Sequence, residues 1–285
     1  MRIESKGRPT VLTTVGLIPG RPHKRFNRYS PTEILPIIPG ATITAITATG
    51  DRPMAFALCQ QWMKMQTRQP DQWLVVDDGQ IPVESFTPME YIRREPQPND
   101  PKPTLILNLR TILPLVRGGK ILFMEDDEYY SPEYIEEMSR RLDQYELVGI
   151  MRSKYYHLIS GGYFTHANIR HASLAATTFR SSFLPKVAEI LGRDNNPFLD
   201  MRMWPRAGNR GYFFTDTEKS LYAGIKGLPG CAGICVGHNS TFYHTADTPD
   251  RAMLKKWAPH GWSVYMDYLN GILPEANYKE YFKWA

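Results

Sequence analysis

Lys120-Ile-Leu-Phe-Met-Glu-Asp-Asp-Glu128 sets a short apolar run directly against four consecutive carboxylates. The apolar part reads as a buried strand. Gly118-Gly119 turns the chain into it, and Ser131-Pro132-Glu133 opens a helix after it, with Tyr134, Ile135, Met138 and Leu142 as its apolar face. Open α/β sheets bind ligands outside the C-terminal ends of their strands, which is where the carboxylates fall. Clustered oxygen donors suit Mg²⁺ or Mn²⁺ held against a phosphate. The other reading is an acidic first turn favoured by the dipole of the following helix. Four adjacent like charges repel unless a cation compensates them, and that favours the metal.

Working outward, Ala41–Ala48 alternates β-branched and small residues and predicts a buried strand. Thr49-Gly-Asp-Arg-Pro53 breaks it and starts a helix to about residue 67, with Ala55, Leu58, Trp62 and Met65 at helical spacing. Gln72–Asp77 is a second strand, so the region is a βαβ unit with parallel strands. This strand too ends in carboxylates, Asp77-Asp78-Gly79. Such a pair can accept hydrogen bonds from a base or a ribose, and Asp-Gly is also a common turn.

Residues 79–103 hold six prolines and predict a long loop. A helix follows over 105–116, interrupted by Pro114. Beyond 146 the pattern gives strands at 147–151, 161–164, 174–179 and near 233–236, and helices at 183–191 and about 198–206. Residues 251–285 carry eight aromatics, among them Trp257, Trp262, Tyr265, Tyr268 and Trp284; their spacing favours a helix packed on the domain over a lid.

The chain has 285 residues, 42% apolar and 22% charged, which excludes global disorder. No apolar run reaches the ~18 residues of a membrane span, and the N-terminus has no signal-peptide core. Three cysteines are too few for a disulfide framework, so the default expectation is a soluble cytoplasmic protein. Net charge is +5, and residues 1–40 carry seven Lys/Arg against Glu4 and Glu33. Such an arm suits either a solubilising extension or a phosphate-rich partner. Dinucleotide-fold, phosphate-loop, serine-hydrolase and zincin signatures are absent from the sequence.

Taken together, Thr49-Gly-Asp-Arg52, Val75-Val-Asp-Asp-Gly79 and Gly119-Lys-Ile-Leu-Phe-Met-Glu-Asp-Asp-Glu128 followed by Ser-Pro resemble the nucleotide-sugar glycosyltransferases of the GT-A fold, especially inverting family 2. Thr178-Phe-Arg180 resembles that family's acceptor-side strand. Leu199-Asp-Met-Arg-Met-Trp-Pro-Arg206 resembles its Glu-Asp-x-Asp-Leu-Trp-x-Arg helix. The resemblance covers roughly 41–245. It implies a single large α/β domain with a Rossmann-like, mixed but mostly parallel sheet flanked by helices. The boundaries read as a basic extension over 1–40, the catalytic domain over 41–250 and an aromatic segment over 251–285.

The resemblance also implies roles. Thr49, Arg52, Asp77, Asp78 and Asp126 would contact the donor nucleotide. Asp127, with Glu125 in place of the usual first Asp, would hold Mn²⁺ or Mg²⁺, and His244 or His238 would complete the shell. Asp200 would be the base that takes the acceptor proton, with Asp194 and Asp216 as fallbacks, although Leu199 replaces an acidic neighbour. The implied partners are a nucleoside diphosphate sugar, uridine being the commonest base, and an acceptor hydroxyl, a nucleic acid being the one the basic arm would suit. Cys231, Cys235, His238 and His244 fit no common zinc spacing well and read chiefly as small buried thiols and structural histidines. Two other functions compete: a nucleotidyltransferase of related fold, and a non-catalytic nucleic-acid-binding protein.

Overall fold

Buried strands with two apolar faces organise the protein. In the computed structural model residues 42–216, 220–230, 233–273 and 278 are described; the basic arm, Cys231 and Trp284 lie outside them. The elements in order are β1 (Ile43–Thr49), α1 (Pro53–Lys64), β2 (Gln72–Asp77), β3 (Glu90–Arg93), α2 (Leu105–Ile112), β4 (Lys120–Phe123), β5 (Glu128–Tyr130), α3 (Tyr134–Arg141) and β6 (Leu147–Met151). There follow β7 (Lys154–His157), β8 (Gly162–Thr165), β9 (Thr177–Arg180), α4 (Leu184–Arg193), α5 (Leu199–Ala207), β10 (Gly211–Thr215), β11 (Tyr222–Lys226), β12 (Thr245–Ala246), α6 (Ala252–Trp257) and α7 (Trp262–Leu269).

The main sheet has seven strands in the order β10-β6-β9-β4-β1-β2-β3. β1 pairs in parallel with β2 and β4, β2 with β3, and β6 with β10. β9 alone runs against its neighbours β4 and β6. The expected mixed, mostly parallel sheet flanked by helices is therefore what the chain builds, and all described residues fall in one compact unit. Alternation along the strands divides two cores. Ala45, Trp73, Val75 and Leu122 face α1, α3 and the aromatics Tyr129, Tyr130 and Tyr222. Ile46, Leu74, Val76, Ile121 and Phe123 face α2, α4 and α5. Buried polar groups on β1 and β2 satisfy one another: Thr44 donates to Gln72 at 2.8 Å and Trp73 Nε1 to Thr47 Oγ1 at 3.0 Å.

A second sheet of five strands runs β12-β8-β7-β11-β5. β4 belongs to the first sheet and β5 to the second, so Met124–Asp127 is the link between them. Most expected elements are present, with corrections. The proline-rich stretch contains edge strand β3, which three neighbouring prolines had masked. No strand forms at 233–236; the apolar strand lies earlier, at β11. Trp257 in α6 and Tyr265 in α7 are buried and belong to the first of these cores.

Candidate functional site

The parallel pairing of β1, β2 and β4 brings their C-terminal ends, at Thr49, Asp77 and Phe123, to one edge of the sheet. Immediately beyond, the link to β5 turns its carboxylates in different directions. Asp126 turns back to the end of β1, where Thr49 donates to Oδ2 at 2.7 Å and the Arg52 guanidinium lies 2.8 Å from Oδ1. Arg52 also reaches Asp127 Oδ2 at 3.2 Å. Lys226, 2% exposed at the end of β11, places Nζ 3.1 Å from Asp127 Oδ2 and 2.7 Å from Glu128 Oε1. Glu128 Oε2 accepts the Ile225 N–H at 3.1 Å. This turn of the carboxylate toward β11 needs Gly224 opposite Glu128, since a Cβ there would stand 3.1 Å from Oε2 and 2.5 Å from the Tyr155 ring.

These neighbours split the protonation behaviour of the run. Burial pushes Asp126 up to about 6 despite Arg52. Burial, then the charge of Asp127, pushes Glu125 up to about 7, and Asp200 adds to that push. Burial also disfavours the charge on Asp127, but Lys226 and Arg52 outweigh it and hold the carboxyl well below its ordinary value. Burial raises Glu128 well above its usual range. Lys226, opposed by burial, is nevertheless held well above its ordinary value by Asp127 and Glu128.

Glu125, Asp127 and Glu128 each offer an oxygen within 4.8 Å of the others, a donor set of the hard type that Mg²⁺ and Mn²⁺ take. The histidine that reaches this group is His238, whose Nε2 accepts the Gly233 N–H at 3.1 Å and lies 3.6 Å from Asp127. His244 is exposed beside β12 and stands outside the cluster. A cavity of about 200 Å³ opens at the same place, lined among others by Arg52, Asp127, His157, Lys226 and His238. Gly227-Leu-Pro-Gly230 also lines it, with Gly230 in the left-handed region at φ +110° and so close to β1's end that a Cβ would lie 2.5 Å from the Asp51 carbonyl.

Asp77 and Asp78, at the end of β2, hold the loop that follows it. Asp77 Oδ1 accepts the Gly79 N–H at 2.8 Å; Oδ2 accepts the Val83 N–H at 2.9 Å and the Tyr91 hydroxyl at 2.8 Å. Asp78 is paired with Arg94, which also binds Asp100 at 2.6 Å. Asp200, in the first turn of α5, has a carboxylate 15% exposed and 3.9 Å from His171 Nε2. Burial raises its pKa. Asp194 instead pairs with Arg202 at 2.7 Å, and Asp216 with Lys154 at 3.1 Å. Cys235 is half-buried, its thiol pushed up to about 11 by burial.

Lys226 and His157 did not stand out in the sequence. The only signal was that Tyr222-Ala-Gly-Ile-Lys226, like the stretch before the carboxylates, is an apolar run ending in charge.

No protein-family profile matches this sequence, and no curated protein matches it. Several solved structures are similar to it. S. aureus TarS 1–349 in complex with UDP-GlcNAc has a TM-score of 0.45 at 14% identity, over 79% of this chain and 66% of that one. Glucosyl-3-phosphoglycerate synthase from Mycobacterium tuberculosis, solved with Mn²⁺, UDP and glucosyl-3-phosphoglycerate, has a TM-score of 0.31 at 17% identity, over 39% and 44%. A nucleotidyl transferase from Methanothermobacter has 0.38 at 12%, over 63% and 89%. The chain spans 36% to 66% of the TarS chains that it matches. Among the described residues no helix is long and apolar enough to cross a membrane.

Proposed function

We propose that this protein is a glycosyltransferase that moves a sugar from a nucleoside diphosphate sugar to an acceptor hydroxyl, with inversion, using Mg²⁺ or Mn²⁺. The observation that carries this is that Asp127, which shares an oxygen cluster with Glu125 and Glu128, lines one cavity together with the cations Arg52 and Lys226. Carboxylates and cations arranged together suit a ligand that arrives as a diphosphate with its metal.

Glu125, Asp127 and Glu128 would hold the metal, which supplies Lewis-acid stabilisation of the departing diphosphate. Thr49 and Arg52 fix Asp126, and Arg52, which lines the cavity, would add its positive charge to the binding of phosphate. Asp77 and Asp78 act by shaping the loop over 79–83 against which the nucleoside would lie. Asp200, near enough to influence Glu125, would accept the proton of the attacking hydroxyl. Its upward shift from burial makes it the better base.

Uridine is the proposed base of the donor. A nucleic acid is the proposed acceptor, supported by the basic charge of residues 1–40 alone; deleting them should weaken acceptor binding and flatten its salt dependence. The test of the main reading is calorimetry with UDP, GDP and ADP, with and without Mn²⁺, on the wild type and on Asp127→Ala. Metal-dependent binding of one diphosphate, lost in the variant, is expected. Absence of binding to all three in every condition would overturn the reading. Release of pyrophosphate instead of nucleoside diphosphate during turnover would make the protein a nucleotidyltransferase.

A further inference from the structure

Lys226 is the least expected residue of the site. It is 2% exposed, yet its ammonium bridges Asp127 and Glu128, two of the three carboxylates that could together take a metal. An ammonium has three donors and no acceptor, so it cannot share these oxygens with a second cation without repulsion. Glu128 is in turn held by the Ile225 N–H from the residue next to Lys226, so the carboxylate cannot follow the lysine away. Lys226 also lines the cavity with Arg52 and His157.

Resting on the proposed donor and metal site, we propose that Lys226 is the resident counter-cation of the carboxylate cluster. It and a divalent cation occupy Asp127 and Glu128 in alternation. When metal takes the carboxylates, the ammonium turns into the cavity and pairs with the donor's diphosphate. A buried ammonium without an anion is costly, so metal alone displaces it poorly, and the diphosphate supplies the anion it needs. Metal and nucleoside diphosphate therefore bind as a pair, each strengthening the other by the same factor.

The experiment is calorimetric titration of Mn²⁺, with and without saturating UDP, into the wild type, Lys226→Met and Lys226→Arg, with folding checked by circular dichroism. In the wild type Mn²⁺ alone should bind weakly and UDP should tighten it. Lys226→Met should bind Mn²⁺ alone roughly tenfold or more tightly, the effect of removing a unit charge a few ångströms away, and should lose most of the coupling to UDP. Lys226→Arg should keep the wild-type pattern. Unchanged Mn²⁺ affinity in Lys226→Met overturns the inference. Should that variant not fold, the wild type serves: acetic anhydride labelling of Lys226, read by peptide mass, should rise with saturating Mn²⁺ and fall again when UDP is added. Labelling indifferent to Mn²⁺ overturns the inference equally. Metal-dependent UDP binding beside either negative result leaves the proposed function standing, whereas no nucleotide binding at all removes that function itself.

Discussion

Asp200 Oδ2 lies 3.9 Å from His171 Nε2, and the charge of Asp200 reaches Glu125 of the carboxylate cluster. A proton taken by Asp200 has an imidazole nitrogen beside it to which it can pass. Asp200→Asn should therefore lower kcat by roughly 10²–10⁴-fold, while UDP affinity stays at the wild-type value. Equal loss of UDP binding in calorimetry would place Asp200 in the donor site instead.

Glu125 is held up to about 7 by burial, then by the charge of Asp127. The sign follows directly: below that value the carboxyl carries a proton and offers no anionic ligand, and above it the proton is gone. Mn²⁺ affinity should accordingly climb as pH rises from 6 to 8 and level off above. Glu125→Gln should remove the part of the climb centred near 7. A parallel pH profile in both proteins would show that Glu125 is no ligand.

Gly230 combines a left-handed φ of +110° with a backbone contact that no side-chain movement relieves. Gly230→Ala should push the 227–230 loop off Arg52 and weaken diphosphate binding, with some loss of melting temperature because Leu228 of the same loop packs against the first core. Unaltered UDP affinity would show that this wall does not touch the ligand.

Asp247 gathers the start of α6: its carboxylate accepts the N–H groups of Met253 and Leu254 and the hydroxyl of Tyr156 at 2.9 Å. Burial opposes its charge, but these donors lower its pKa below the ordinary 3.8. Its contribution is thus complete above that value and lost as pH falls through the lower, folded one. Asp247→Ala should cost about 1–2 kcal/mol at pH 7 by urea unfolding, a difference that narrows in acid. A constant difference down to pH 3 would contradict the assignment.

Local pattern revealed what local forces decide. The run ending in Glu125–Glu128, the βαβ unit and the helix bearing Asp200 were legible because apolar periodicity and turn chemistry lie within a few residues of each other. β3 was not, since its pairing with β2 leaves it exposed and short among prolines. Asp77 shows the limit at a single residue: an Asp before Gly reads equally as ligand and as turn, and only the loop's fold shows its oxygens taken by Gly79, Val83 and Tyr91. The acidic run did predict a compensating cation. That part of the compensation is Lys226, supplied from a strand of the other sheet, no spacing could disclose.

Asp127 and Lys226 stand 99 residues apart in the chain. A folding intermediate that has paired only β1, β2 and β4 already carries all four carboxylates, and their lysine arrives only when the second sheet closes. Repulsion among the carboxylates disfavours that intermediate, and dissolved ions screen the repulsion. Refolding should quicken with moderate salt in the wild type and lose that sensitivity in Asp127→Asn; identical salt dependence in the two would show that this repulsion does not limit the rate.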